Sequence, residues 1–504
     1  MLFPKDQERM AFRYRRSRVV YQCGYVLLAL ALWHFCSPYQ IVLQSRSQPD
    51  PTSDTSIDIA TDSPVQSADS IGEKVKDTID KNYGPLEQSY LAQISTVNSG
   101  SVGANIYRSR DESIKLVYGI TKSADWLDLV ESQDDHGLMA LTKATQRYLH
   151  GKQNPTDCSR QRYLILNKFP GDDAFGLGAI VQRIADYLSV ALQTNSILLY
   201  AMDSSPGEHF ISNSGGACGR SFDCIFERLS NCSSKDQRGI KSDVQSIFTG
   251  DGEVVDVDVE AYLAKNRWPV PPVFEEALKT VQEDVTGEML KYWWRAQAAA
   301  YIMRFNSGAS RRLREMRVGE VKQRGIRWDV NGEPKDVDMP FPMPEGTVSI
   351  HVRHGDKGSE MRLVPFNDYV VRAEKFVAEN PLGTWKRAFL STEDPNVIEQ
   401  MKTMPRITPF SYSGSNSRWT WYWSDIPRLN TGPETQLKEF GNRTELTIKW
   451  LLQLTMAIEC DIFVGTRGSG WNRLIDSLRC TWLASCKQPF LEVGFENDWA
   501  GYGP

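Results

Sequence analysis

Two widely separated stretches of this chain each run from an apolar strand into a glycine-bearing turn and then an apolar-periodic helix. That pattern restricts the fold more than any other feature. The first is RYLILNKF (Arg162 to Phe169), then PGDDAFGLGA, then a helix from about Ile180 to Leu192, with a second strand, SILLYAMD, from Ser196. Strand, turn, helix and strand in this order predict a right-handed βαβ unit in a parallel sheet. The second opens with TVSIHVRHGDK, where strand Thr347 to Val352 enters a charged loop. After it come a helix around Phe366 to Asn380, the strand RAFLSTED and a long helix near Leu446 to Glu459. A last strand, DIFVGT (Asp461 to Thr466), leads into GSGWNRLIDSLR. Strands alternating with helices in both halves predict an α/β fold of two Rossmann-like domains facing a cleft. FPMPEG (Phe341 to Gly346) is the Pro/Gly boundary between an N-terminal domain, 101–345, and a C-terminal one, 346–504.

A chain of 504 residues is too long for one core, which fits two domains and an extension. A net charge of −5 gives no bulk attraction for polyanions, so no nucleic-acid partner is expected, while a local basic pocket for a diphosphate is allowed. The N-terminus bears on the compartment. Lys5, Arg9, Arg13, Arg15, Arg16 and Arg18 precede the apolar run from Val19 to Cys36, whose length in helix is roughly 27 Å, enough for a thin bilayer. The positive-inside rule makes 1–18 a cytoplasmic tail, 19–36 a transmembrane signal anchor and the remainder luminal. A cleaved signal peptide is the alternative, since Val26 to Trp33 alone has the length of an h-region, but no clean small-x-small site follows.

Residues 37–100 read as a stem, partly disordered where Ser, Thr, Asp and Pro dominate. Within it Ile71, Val75 and Ile79 fall at helical spacing before Gly84-Pro85. That short helix suits either a homodimer contact or packing on its own domain. Of nine cysteines, seven follow the anchor; in an oxidising lumen Cys158, Cys218, Cys224 and Cys232 would pair around the first βαβ unit and Cys480 with Cys486, leaving Cys460 as a buried thiol. Sequons at Asn231 and Asn442 agree with a luminal glycoprotein.

The loops at strand ends carry the candidate chemistry. IHVRHGDKGSE delivers His351, Arg353, His354, Asp356, Lys357 and Glu360 to the carboxyl end of a strand, where ligands sit in open α/β sheets. Arg353 offers a bidentate fork and Lys357 a mobile point charge for a diphosphate, and Glu360 a base for an acceptor hydroxyl; a solvated charged turn is the plain alternative. GTRGSGWNR offers Gly465, Gly468 and Gly470 for close backbone approach, Ser469 as a hydroxyl, free N–H groups at a helix start, and charge from Arg467 or Arg473. STEDP (Ser391 to Pro395) suits either ribose contact or helix capping by Asp394. The PGDDAFGLGA turn would line the cleft without chemistry of its own.

At these residues the chain resembles the α-1,6-fucosyltransferase family. HVRHGDKGSE is similar to its HVRRTDK-x-x-x-E motif, and STEDPNVIEQ to its T-D-D-P segment. The segment from Asp157 to Tyr200 resembles the family's first βαβ unit, KYWWRAQAAAYIMRF (Lys291 to Phe305) its Trp-Trp helix, and DIFVGTRGSGWNRLIDSLR its final strand and phosphate loop. Order and spacing hold from about Cys158 to Arg479. The resemblance implies a GT-B-like pair of domains, GDP-fucose as donor, inversion at the anomeric carbon, no metal or other cofactor, and a Golgi membrane location, single-pass type II. It also implies that Arg353 holds the β-phosphate, His351 helps seat the guanine, Asp356 and Lys357 organise the donor site, Ser469 binds phosphate, and Glu360 is the base. Asp394 falls on the family's second aspartate, while Gly468 and Arg473 belong to the phosphate loop.

This chain departs from the family in four places. His354 stands where the family has a second Arg, and the gap from Lys357 to Glu360 is one residue shorter. Gln453 takes the place of an aspartate that reads the guanine. The SH3-like domain of animal members does not follow the last helix, which leaves N-glycan core fucose, and with it the α-1,6 linkage, open as the product. The expected function is therefore fucosyl transfer from GDP-fucose to a glycan or glycoprotein hydroxyl. A transferase using another nucleotide sugar, or a glycan-binding pseudo-transferase, is the alternative. Metal chemistry would need a D-x-D; the two present, Asp256 to Asp258 and Asp336 to Asp338, are expected in loops with no strand running into them.

Overall fold

The computed structural model describes residues 84–98, 136–169, 172–201, 205–212, 221–233, 246–248, 254–256, 270–281, 285–320, 323–329, 333–380, 386–403, 419–483 and 490–494. All belong to one compact unit, 67–504. The anchor, the helix expected at 71–79, Cys218 and Cys486 lie outside them. Among the described residues no helix is long and apolar enough to cross a membrane.

The N-terminal half begins with α1 (Pro85–Asn98), inside the stretch expected to be stem. Its buried Tyr90, Leu91 and Ile94 form one helical stripe. Tyr90 meets Tyr148 of α2 (His136–Gln153) at 5.1 Å between ring centroids and Phe274 of α4 (Pro272–Val281) at 5.8 Å. Phe274 in turn stacks on Trp294 of α5 (Gly287–Ile302) at 5.0 Å. The expected βαβ unit is present: β1 (Arg162–Leu166) and β2 (Ser196–Tyr200) pair in parallel with Leu164 opposite Leu198. The crossover is α3 (Leu177–Gln193), whose Ile180, Val181, Ile184 and Leu188 are fully buried.

That half does not carry a second fully parallel sheet. Its four strands run in the order β2-β1-β3-β4, and β3 (Ser246–Phe248) and β4 (Val254–Asp256) are antiparallel. Only residues 249–253 separate them, and a parallel crossover needs about a dozen residues, so a hairpin is the available connection.

The C-terminal half is a seven-stranded sheet in the order β11-β10-β7-β8-β9-β5-β6. Five of its strands are parallel: β7 (Val348–Val352), β8 (Arg387–Thr392), β9 (Thr420–Ser424), β10 (Ile462–Gly465) and β11 (Phe490–Glu492). Two antiparallel strands, β5 (Gln323–Trp328) and β6 (Pro334–Val337), extend the edge and come from before the Pro/Gly boundary. Helices α7 (Phe366–Glu379), α8 (Pro395–Thr403), α9 (Pro433–Glu439), α10 (Arg443–Ile458) and α11 (Gly470–Trp482) connect or cover these strands. Strand β7 alternates Val348, Ile350 and Val352 on one face with Ser349 and His351 on the other.

Both D-x-D triplets are met by a strand, contrary to expectation, because β4 ends at Asp256 and β6 contains Asp336. Pairing with β3 and β5 imposes those strands; the local sequence is too polar to announce them. Asp336 and Asp338 are exposed.

The halves are joined by α11, which packs on α3 and α5, and by α6 (Ser307–Glu315) against α10. Just beyond α6, Arg317 is fully buried and pairs with Glu459 at 2.8 Å; Glu459 also accepts from Met343 N. Cys158 and Cys232 form a disulfide, and Cys224 and Cys480 are each disulfide-bonded; Cys460, expected within an apolar helix, is a buried thiol just past the end of α10.

Candidate functional site

The sheet order explains why loops remote in sequence meet. From β7 the chain adds β8 and then β9 on one side, then returns to lay β10 and β11 on the other. The carboxyl ends of β10, β7 and β8 are therefore adjacent, and the split between β7 and β10 is a topological switch point. All three candidate loops, 353–360, 392–394 and 466–473, leave those ends.

A cavity of about 370 Å³ opens there. Its C-terminal wall includes His351, Arg353, Asp356, Lys357, Glu360, Glu393, Gln453, Ser469, Gly470 and Arg473. The opposite wall is Ala174 to Ala179 with Phe210, from the N-terminal half, and Trp450, Trp471, Ile426 and Pro427 add apolar surface. The structure thus brings together His351, Arg353, Asp356, Lys357, Glu360, Gln453, Ser469 and Arg473. His354, Asp394 and Gly468 are adjacent in sequence but outside the lining.

Arg353 is largely covered, with 14% of its side chain exposed; it donates to Glu393 Oε1 at 2.6 Å and also pairs with Asp356. Burial opposes its charge, but Glu393 and Asp356 outweigh burial and hold its pKa above the ordinary arginine value. Lys357 pairs with Glu360, the most exposed member of the set at 59%. Each cation is therefore matched by a carboxylate that an incoming anion must displace or share. Gly355 makes this turn possible: its φ is +60°, and a Cβ there would lie 2.9 Å from Arg353 Nη1 and 3.0 Å from Thr431 O.

His351 is buried against Ser391, directly opposite on β8, with Nδ1 2.8 Å from its Oγ. Nε2 has no partner among the described residues. Burial, helped by Arg353, lowers its pKa to about 3, so the ring is neutral at physiological pH. Gln453 donates Nε2–H to Ser424 Oγ at 3.3 Å.

The glycine loop ends in two helix starts placed tip to tip. Ser469 caps α11 by accepting from Asn472 N, and α3 begins after Gly176 with no side-chain cap. Gly178 and Gly470 are in contact: a Cβ on Gly178 would sit 2.4 Å from Gly470 O. Two helix N-termini, each with a partial positive charge and unspent N–H groups, thus border one cavity. Arg473 adds a guanidinium, held through Gln182 Oε1 of α3 at 3.2 Å. Arg467 turns away instead, pairing with Asp476 at 3.0 Å and lying on the Phe490 ring at 3.8 Å.

At STEDP the structure shows capping by Asp394. Asp394 Oδ1 accepts from Asn396 N at 2.9 Å at the start of α8, and its Oδ2 lies 2.9 Å from His354 Nδ1. With Nε2 3.0 Å from Val364 O, His354 is fully engaged in holding the loop. Thr392 and Glu393 are the members of that segment that line the cavity. Sequence reading passed over Glu393 as Arg353's partner and Trp450 and Trp471 as walls; Trp471, inside the glycine loop, was the accessible clue. Among the described residues no group of three His, Cys, Asp or Glu is arranged to hold a metal.

No family model matches the chain. Among solved structures, a point mutant of Arabidopsis thaliana FUT1 in complex with GDP is similar at 12% identity, over 72% of this chain and 77% of that one, with a TM-score of 0.34. That likeness is slight and carries no argument about the cavity, whose chemistry stands on its own residues.

Proposed function

We propose that the cavity holds the diphosphate of a nucleotide sugar and that the chain is an inverting glycosyltransferase of GT-B-like build, with GDP-fucose as donor. One observation carries this reading: Arg353, Lys357, Arg473 and two helix N-termini converge on a single cavity between the halves. A dianionic leaving group is the ligand such an arrangement suits best. In the reaction Glu360 takes the proton of an acceptor hydroxyl. The freed oxygen attacks the anomeric carbon, and the carbon–oxygen bond to the diphosphate breaks with its electron pair on the leaving oxygen. Arg353 and Lys357 share that growing charge once phosphate has taken over from Asp356 and Glu360 as their partner. The exposure of Glu360 at the mouth suits contact with a large acceptor such as a glycan or glycoprotein.

Another nucleotide sugar is the second reading, and Gln453 motivates it: a neutral amide lines the wall where a carboxylate would select a base by charge. The test is donor hydrolysis and transfer by the full-length protein with a panel of nucleotide sugars, with and without chelator. Turnover of GDP-fucose unchanged by EDTA is expected. Turnover of a different donor establishes the second reading, and no turnover of any donor leaves a glycan-binding protein. Loss in EDTA with rescue by manganese overturns the metal-independent mechanism. The anchor, the Golgi location and a stem-mediated homodimer belong to the same proposal and are tested by the topology and hydrodynamic size of the full-length protein.

A further inference from the structure

The lip of the cavity is fastened by side chains that the transfer reaction leaves without a role. Ala174, Phe175 and Gly176 form this lip, carried on the turn Asp172–Ala174, and lead directly into α3. Behind them His209 is only 6% exposed and precedes Phe210, which lines the cavity. His209 Nε2 lies 3.2 Å from Phe175 O. A carbonyl can only accept, so Nε2 carries the hydrogen and Nδ1 the lone pair. Nδ1 is buried, has no hydrogen-bond partner among the described residues, and faces Asp173 Oδ1 at 3.8 Å. Lys168 holds Asp173 at 2.9 Å and Glu208 at 3.1 Å. The charged groups around the imidazole are thus Asp173, Lys168, Glu208 and, from α10, Arg443. The same segment is bolted to the C-terminal half: Thr447 Oγ1 donates to Phe210 O at 3.0 Å, and Ser212 N donates to Thr444 Oγ1 at 2.8 Å.

We propose that His209 is a positioning residue of the cavity, its Nε2–H holding the Phe175 carbonyl so that the lip and the start of α3 keep their place against the C-terminal half. It acts on a bound molecule through Phe175 and Phe210, not by contact. The identity of that molecule rests on the transferase reading, whereas the anchorage of the lip does not. Burial dominates the titration of the ring and moves its protonation below the usual value near 6.5, with Phe175 and Asp173 opposing. A proton added at Nδ1 leaves Nε2–H on the Phe175 carbonyl and sets the new N–H toward Asp173, so the anchorage of the lip does not depend on that titration.

Hydrogen–deuterium exchange of amides 174–180 in the full-length protein tests the anchorage, and KM and kcat on the active donor test its consequence. His209→Ala is expected to speed exchange at these amides and raise KM by about fivefold, the factor one lost hydrogen bond is worth, with kcat nearly unchanged. His209→Gln, whose amide can donate to the same carbonyl, is expected to restore both. Unchanged exchange in the alanine variant overturns the proposal, as does a glutamine variant that fails to rescue. Faster exchange without binding of any nucleotide sugar defeats the donor reading and leaves the positioning role standing. Should the alanine variant fail to fold, His209→Met, similar in size but without a donor, is compared with His209→Gln. Faster exchange at amides 174–180 in the methionine variant alone is then expected, and equal exchange in the two overturns the proposal.

Discussion

The two walls of the cavity are built on different terms. The C-terminal wall supplies charge from the carboxyl ends of β7 and β8 and the loop after β10, with Arg353, Lys357, Asp356, Glu360 and Glu393 interlocked. The N-terminal wall, Ala174 to Ala179 with Phe210, contributes no ionisable side chain to the lining. It contributes backbone, an uncapped helix start and a close glycine contact. One wall holds the chemistry and the other sets the distance, so damage to each should read out differently.

The largest expected effect is on the charged wall. Arg353→Ala removes the guanidinium nearest the proposed leaving group and should lower turnover by about 10² or more; Arg353→Lys should recover part of it. A near-normal rate in the alanine variant would remove Arg353 from the mechanism and erase the contrast between the walls. Next comes the wall that sets distance. Gly178→Ala places a methyl 2.4 Å from backbone oxygen and 2.5 Å from backbone carbon of Gly470, neither of which can swing aside. Urea unfolding should show a loss of about 1–3 kcal/mol, and an unchanged midpoint would mean the helix tips part freely.

The smallest effect expected near neutral pH is that of the His351 titration. Its pKa is about 3 in the folded protein, against an ordinary 6.5, so the folded state prefers the neutral ring. The stability linked to it is complete above the unfolded value and drains as pH falls from there toward 3. Between pH 7 and 9 the unfolding free energy should show no pH dependence from this ring. An acid limb that is identical in His351→Gln would assign the titration elsewhere.

How much of this was legible in advance differs between the same two walls. The parallel strands of the C-terminal sheet were readable because strongly apolar runs such as VSIHV and DIFVGT stop at glycine and charge. The convergence of their loops then follows from strand order. Antiparallel β3, β4, β5 and β6 were not readable, since their pairing comes from partners and not from local pattern. Within the site, Arg353 and Lys357 carry their chemistry in their residue type. The roles of His354 and Asp394 do not: both are polar residues at a strand end, and only the fold shows that they bond to each other and to backbone. His209 was invisible for a similar reason, being one buried imidazole in a segment without periodicity, singled out only by the Phe175 carbonyl in front of it.

Helix α11 makes the order of synthesis matter. It packs against α3 and α5, with Trp482 meeting Phe305 at 5.5 Å and Tyr292 reaching Asp476 O at 3.4 Å. These partners leave the ribosome long before α11 does, so their apolar faces stay uncovered until nearly the whole polypeptide has emerged. A chain halted before Gly470 leaves those faces exposed and is expected to unfold more readily than the full-length protein.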